Sequence, residues 1–273
     1  MKLEIKKSIL FIFYVLTISY ILGFFVVILK DRIVFSQNFF NIFSIIYMYI
    51  PFFTVVLVEK YIYHEELKGL GFYLKWNKYL LLAILIPIIL SFLSIFSSLI
   101  FKEINLNYEY FKPYYLILLV LQGIIFGSTI NALIALGEEV GWRAYLVNNL
   151  IHLGFYKSSI IIGFIWGIWH APMILLGLNY PDHRFIGIIM MVIFCILITP
   201  VMVFLTLKSK SVINASIFHG VLNSLGGLPL MLLKGGNDLS KGLTGFGGFI
   251  ILIILNLFLY PFIKKLEKDF SKI

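Results

Sequence analysis

The chain has 273 residues, of which 61% are hydrophobic and 13% charged, whereas an ordinary soluble domain carries about 25% charged residues. Together with a mean hydropathy of +1.00, this composition excludes a water-soluble fold. The net charge of +9 does not indicate nucleic-acid binding, because Lys and Arg form short clusters between apolar blocks instead of a basic stripe.

The apolar blocks have the length that crosses a hydrocarbon core, about twenty residues. They predict an all-α fold, a polytopic transmembrane bundle of about eight spans. The first span is expected to be retained and not cleaved as a signal peptide. In chain order the predicted helices cover residues 8–29, 38–58, 79–101, 113–137 with a polar continuation to 150, 158–178, 185–207, 211–233 and 246–263. The single cysteine, Cys195, excludes an intrachain disulfide.

The distribution of positive charge predicts the orientation. One end of the predicted bundle carries fifteen of the 22 Lys and Arg residues. They are Lys2, Lys6, Lys7, Lys60, Lys68, Lys75, Lys78, Arg143, Lys157, Lys208, Lys210, Lys264, Lys265, Lys268 and Lys272. By the positive-inside rule this end faces the cytoplasm. Both termini are therefore predicted to be cytoplasmic, which agrees with an even number of spans, in a protein of the plasma membrane.

Five polar residues inside the predicted spans are candidates for function, because an ionisable group at mid-bilayer costs about 2.5–3.5 kcal/mol on insertion scales. They are Glu138 and Glu139 in GEEVGWR, His170 in WGIWHAP, and His219 with Asn223 in FHGVLN. A structural role remains open for each, because polar side chains also join membrane helices by hydrogen bonds. As a set from three helices, they predict a site of chemistry.

Helical spacing predicts how these residues pair. Glu139 and Arg143 are four residues apart and are expected to form an ion pair. Glu138 then points about 100° away and stays free. His219 and Asn223 are also four apart, so that an imidazole and an amide project from one helix face and can donate two hydrogen bonds to one oxygen.

The depth of these groups predicts that they meet. At 1.5 Å per residue, Glu138, His170, His219 and Asn223 lie about 12–18 Å from the end that carries the termini. They are expected to share one layer in a conical polar cavity that opens to the cytoplasm. The extracellular half is expected to be sealed by packed aromatic side chains.

At these residues the sequence resembles the CPBP family, also called the Abi or CAAX-protease and bacteriocin-processing family, which includes the Ras-converting prenyl endopeptidase. The family motifs EExxxR, FxxxH and HxxxN appear in order as Glu138–Arg143, Trp166–His170 and His219–Asn223. Trp166 stands where the motif has Phe, a change expected to affect packing and leave the chemistry untouched.

The resemblance implies an intramembrane CAAX-type endopeptidase. It assigns Glu138 and His170 to the activation of a water molecule, and His219 with Asn223 to the stabilisation of an oxyanion. Three further residues are expected to give structural support: Glu139, Arg143 and Trp166.

The resemblance covers residues 113–233, which are predicted to form the catalytic core. Residues 1–112 are expected to form a three-helix membrane region without motifs, and residues 234–273 the last span and a basic cytoplasmic tail. The expected partners are the lipid bilayer and a peptide or protein substrate at the membrane, and no nucleic acid.

Several alternatives stay open beside a metal-free protease. Glu138, His170 and His219 can ligate zinc with an open fourth position, although no cofactor is expected. A non-catalytic immunity protein or scaffold, which protects against a bacteriocin by binding, is a second class. A transporter that uses His and Glu as a proton relay is a third class, but it is expected to show internal repeats, and none is evident.

Overall fold

The computed structural model describes residues 2–30 and 35–270, with side chains through residue 268. Within these residues, eight helices are long and apolar enough to cross a membrane, which confirms the predicted bundle. Lys272 and the end of the predicted tail lie outside the described residues.

The spans follow the predictions closely in position. In chain order they are α1 Lys2–Leu29, α2 Gln37–Ile62, α3 Lys78–Ser98, α4 Pro113–Leu153, α5 Phe155–Leu175, α6 Arg184–Ser209, α7 Val212–Leu232 and α8 Phe246–Phe270. The first helix begins at Lys2, earlier than predicted, because the basic residues before the apolar block are also helical. This places the Lys7 ammonium 2.9 Å from a Glu59 oxygen and 2.8 Å from a Glu65 oxygen.

Four of the spans contain local departures from regular α-helix, and the first of them, α2, ends in a π-helical segment, Leu57–Ile62. The long α4 includes π-helical segments at Gly127–Asn131 and Val140–Leu146. A π-helical turn inserts an extra residue and often accompanies a functional site. The regular part of α5 ends at Trp169, and that of α7 ends at Leu225 before a short helix, Leu228–Leu232.

The connections between spans divide the bundle into two ends. The N-terminus, the segment 63–77 and the turns after α4 and α6 lie at one end, which we call the terminal end. There the Asn148 amide donates to the Gly69 carbonyl, and the Ser211 hydroxyl donates to the Tyr73 carbonyl. The segments 99–112, 176–183 and 233–245 lie at the opposite, distal end. A two-residue antiparallel ladder there pairs Asn105–Leu106 (β1) with Leu233–Lys234 (β2).

Glycines let the motif-bearing helices approach closely. A Cβ atom on Gly167 would lie 2.5 Å from the Val192 Cα, so α5 rests on the backbone of α6 only because Gly167 has no side chain. A Cβ atom on Gly220 would likewise collide with the backbones of Gly127 and Ala132 in α4. The contact at Gly220 holds α7, which carries His219, against α4, which carries the glutamates, and the contact at Gly167 holds α5, which carries His170, against α6.

Candidate active site

The structure brings the four predicted reactive residues together. Glu138 from α4, His170 from α5, and His219 with Asn223 from α7 line one cavity of about 350 Å³. Four polar side chains from three helices therefore share one internal space, as their predicted depths require.

Glu138 is held by the indole ring of Trp166. Its side chain is buried, and Oε2 accepts a hydrogen bond from the Trp166 Nε1–H at 2.7 Å. Trp166 is itself 2% exposed, and its ring packs under the Arg143 guanidinium at 3.9 Å from the ring centroid. The expectation that Trp166 affects only packing is therefore incomplete, because phenylalanine lacks this N–H donor.

His170 lies at the junction where the regular part of α5 ends. Its Nδ1 is 2.7 Å from the Trp166 carbonyl oxygen. Since a carbonyl only accepts, Nδ1 carries the hydrogen, and Nε2 is left as the acceptor atom. One residue, Trp166, therefore contacts both Glu138 and His170.

Glu139 forms polar contacts with two neighbouring side chains, on the side away from Glu138. The predicted ion pair is present, with Arg143 Nη1 3.2 Å from Glu139 Oε1 and both side chains fully buried. The same oxygen accepts a hydrogen bond from His219 Nδ1 at 2.7 Å. Glu139 therefore fixes the orientation of the His219 ring and leaves its Nε2 as the second ring nitrogen for interactions in the cavity.

Asn223 follows His219 by one helical turn on α7. Its side chain is exposed and lines the cavity. The imidazole and the amide thus border the same space, as the four-residue spacing predicts.

The sequence analysis missed a contribution from α2, which carries no motif. Tyr47 is 1% exposed, lines the cavity and donates its hydroxyl hydrogen to the Trp169 carbonyl at 2.9 Å. No pattern distinguishes this tyrosine from the other aromatic residues of α2. The remaining walls are mostly apolar and include Met173, Met191, Phe194, Leu222 and Leu243.

The cavity opens at the distal end of the bundle. Its rim consists of Leu178 and Asn179 after α5, Gly226 and Gly227 at the break in α7, and Thr244 before α8.

The terminal half below the cavity is filled by aromatic rings. Phe11 lies 5.7 Å from Trp142 and 5.1 Å from Tyr145 between ring centroids, and Trp142 lies 5.8 Å from Trp169. All four side chains are buried.

This arrangement corrects the predicted cavity. The termini lie at one end and the mouth at the other, so cytoplasmic termini and a cytoplasm-facing cavity exclude each other. The aromatic rings fill the terminal half, so the predicted seal in the extracellular half requires extracellular termini. The depth estimate missed this because a layer about 12–18 Å into a core about 30 Å thick lies near its middle, and such a layer is compatible with a mouth on either side.

Comparisons with known proteins agree with the motifs. A family profile described as "Type II CAAX prenyl endopeptidase Rce1-like" matches residues 122–225, the segment that contains all four predicted reactive residues. This segment is therefore similar to CAAX-type prenyl endopeptidases. A curated relative, CAAX prenyl protease 2 of Methanococcus maripaludis, is 36% identical over 92 residues. The match covers 32% of this chain and about a third (34%) of the length of that relative.

Proposed function

We propose that this chain is an intramembrane endopeptidase of the CPBP family. It hydrolyses a peptide bond with water that Glu138 and His170 activate, and it stabilises the oxyanion with His219 and Asn223. The observation that carries the proposal is the convergence of these four side chains on one cavity inside a membrane bundle.

Glu138 and His170 supply two acceptors for one water molecule. Trp166 occupies Oε2 of Glu138, so Oε1 is the oxygen left for the water. His170 presents Nε2 because its Nδ1–H is used by the Trp166 carbonyl. When both hydrogens of a water are bound, its oxygen lone pair is free to attack the scissile carbonyl. Glu138 takes one proton and returns it to the leaving amine.

His219 and Asn223 supply donors to the oxyanion. An imidazole protonated on both nitrogens donates Nδ1–H to Glu139 and Nε2–H to the oxyanion, and the Glu139 carboxylate balances the charge of the ring. The Asn223 amide provides a second donor without a charge. Donors already oriented towards developing negative charge contribute about 3 kcal/mol or more each.

The proposed mechanism uses protein groups alone. A catalytic zinc site needs three protein ligands at about 2.0–2.2 Å from one point. Among the side chains that the structure describes, no three His, Cys, Asp or Glu residues are grouped closely enough to hold a metal ion. The zinc-dependent alternative with Glu138, His170 and His219 is tested by chelation.

The proposal places the protein in the plasma membrane with both termini in the cytoplasm, on the basis of the Lys and Arg distribution. Its substrate is a peptide or protein at the membrane. Because the curated relative is named a prenyl protease, a prenylated C-terminal peptide is one candidate. It is best compared with the same peptide without the prenyl group.

The experiment compares the peptide termini of membrane and secreted proteins in cells that carry the wild type, Glu138→Gln or Glu66→Gln. Glu66 is a matched control because its side chain is 78% exposed at the terminal end, far from the cavity. Peptide ends present with the wild type and Glu66→Gln but missing with Glu138→Gln would identify substrates. Identical termini in all three strains would contradict proteolysis and favour a non-catalytic role such as immunity.

A further inference from the structure

We infer that two tyrosines of the motif-free helices α1 and α2, Tyr20 and Tyr47, are positioning residues for His170. Their hydroxyl groups hold two carbonyls at the turn where the regular part of α5 ends, and this turn holds the imidazole. The consequence for catalysis rests on the proposed peptidase function. The effect on the His170 ring does not, because it follows from hydrogen bonds within the protein.

The first observation is that the sequence of α5 interrupts the helical hydrogen bonds beside His170. In a regular helix the Ile168 carbonyl accepts from the N–H four residues later, but that residue is Pro172, which has no N–H. The backbone N–H of His170 donates to the Gly167 carbonyl, three residues back, at 3.2 Å. Inside a bilayer, a carbonyl that loses its helical donor needs another one.

The second observation is that side chains of α1 and α2 supply donors to this turn. The Tyr20 hydroxyl donates to the Ile168 carbonyl at 2.7 Å, and the Tyr47 hydroxyl donates to the Trp169 carbonyl at 2.9 Å. Each of the two helices thus contributes one hydroxyl to the consecutive residues that directly precede His170. A shift of these two carbonyls would move the backbone of His170 with them.

The third observation is that the same two helices fix the aromatic ring beside the imidazole. Trp169 lies edge-on to His170, with 5.0 Å between ring centroids and 82° between ring planes. Its indole N–H donates to the Ser19 hydroxyl at 2.7 Å, and its ring lies 4.6 Å from that of Tyr47. The Trp169 ring therefore moves away from the imidazole only when contacts with both α1 and α2 are broken.

The proposed activation of water depends on which nitrogen of the His170 ring carries the hydrogen. Nε2 accepts from the water only while Nδ1 keeps the hydrogen, and the Trp166 carbonyl, 2.7 Å away, holds it there. The two tyrosine hydroxyls fix the turn that sets this distance. Without one of them the turn loosens, and the ring also adopts the tautomer in which Nε2 carries the hydrogen and cannot accept.

The test uses Tyr20→Phe, Tyr47→Phe and a matched control, Tyr49→Phe. Each substitution keeps the ring and removes one hydroxyl that donates to a carbonyl. In the control that carbonyl belongs to Leu133, in the regular helical segment Ala132–Glu139 of α4, and Tyr49 lies outside the described cavity lining. Thermal melting gives the structural cost of each lost hydroxyl.

Nitrogen NMR of protein with isotope-labelled histidine identifies the His170 tautomer, because ring nitrogens with and without a hydrogen resonate at different shifts. His170→Gln assigns the signals. We expect Nδ1–H in the wild type and Tyr49→Phe, and a mixture of tautomers in Tyr20→Phe and Tyr47→Phe. In these two variants kcat for a peptide substrate should fall about fivefold at an unchanged KM, the effect of one neutral hydrogen bond.

Two results would overturn the inference. In the first, Tyr20→Phe and Tyr47→Phe keep Nδ1–H and the kcat of Tyr49→Phe, so that the hydroxyls only stabilise the bundle. In the second, kcat falls while the tautomer stays unchanged, so that the effect does not pass through the ring. If one variant fails to fold, the other decides between these outcomes.

The tautomers are measured without turnover. If the wild type cleaves no peptide, a mixture of tautomers in the two variants still supports the positioning of His170, and Nδ1–H in both still overturns it. Failure of the peptidase proposal is therefore distinguishable from failure of this inference.

Discussion

The hydrogen bond between Trp166 and Glu138 leads to the most specific prediction. Trp166→Phe keeps an aromatic ring beneath the Arg143 guanidinium but removes the N–H that holds Glu138 Oε2 at 2.7 Å. We expect the carboxylate to lose its fixed orientation relative to the water. The variant should fold and insert, but catalyse slowly.

The magnitude follows from the kind of bond that is lost. A hydrogen bond to a charged group contributes about 1.5–3 kcal/mol. At about 1.4 kcal/mol per tenfold change in rate, its complete loss from the transition state lowers kcat about 10- to 150-fold. KM should change little, because the bond is made within the protein and not to the substrate.

The matched control is Trp142→Phe. It makes the same chemical change in the same core, but the Trp142 N–H has no hydrogen-bond partner among the described residues, and its ring does not line the cavity. Both variants lose similar ring volume, so thermal melting should fall by comparable amounts. The assay is steady-state cleavage of a quenched peptide built from an identified substrate, in liposomes. Equal losses of kcat in both variants, or an unchanged kcat in Trp166→Phe, would refute the orienting role of the indole.

The other predictions concern the oxyanion, the buried ion pair and the metal. Asn223→Ala should lower kcat about 10²- to 10³-fold, whereas Asn148→Ala at the terminal end should leave it unchanged; equal rates for the two would remove the oxyanion assignment. Glu139→Ala and Arg143→Ala should each lower the free energy of unfolding by about 3–5 kcal/mol, since each strands a buried charge, and the double variant should cost less than the sum. Denaturation curves test this, and wild-type stability in both single variants would show that the pair is dispensable. Activity should survive exhaustive chelation; zinc near one equivalent, lost together with activity in His170→Ala, would support the metal-dependent alternative.

The eight spans could be predicted because the bilayer imposes a length of about twenty apolar residues on each. The local departures in α2, α4 and α5 could not. The π-helical segment Val140–Leu146 depends on how α4 packs against its neighbours, and no residue pattern marks its position. The break after Leu225 was suggested by the adjacent glycines, which weaken a helix.

The shared layer of the site could be predicted because helical rise converts sequence position into depth. The partner of Glu138 could not, since it depends on the rotation of α5 about its axis, which turns the Trp166 indole towards α4. The position of Tyr47 in the cavity wall could not be predicted for a related reason, because α2 contributes to the cavity through packing and carries no motif. The prediction that the cavity opens at the same end as the termini was wrong. The end at which it opens depends on which half of the core is filled by large side chains.

The measurement that tests the central claim most directly is single-turnover cleavage by wild type, Glu138→Gln and Glu66→Gln, purified side by side and reconstituted in liposomes. The glutamine amide is nearly the same size as the carboxylate and still accepts the Trp166 hydrogen bond, but it cannot take a proton from water. The account predicts that Glu138→Gln folds, melts like the wild type and cleaves nothing, while Glu66→Gln is fully active. Cleavage by Glu138→Gln at the wild-type rate would contradict the assignment of Glu138 as the general base.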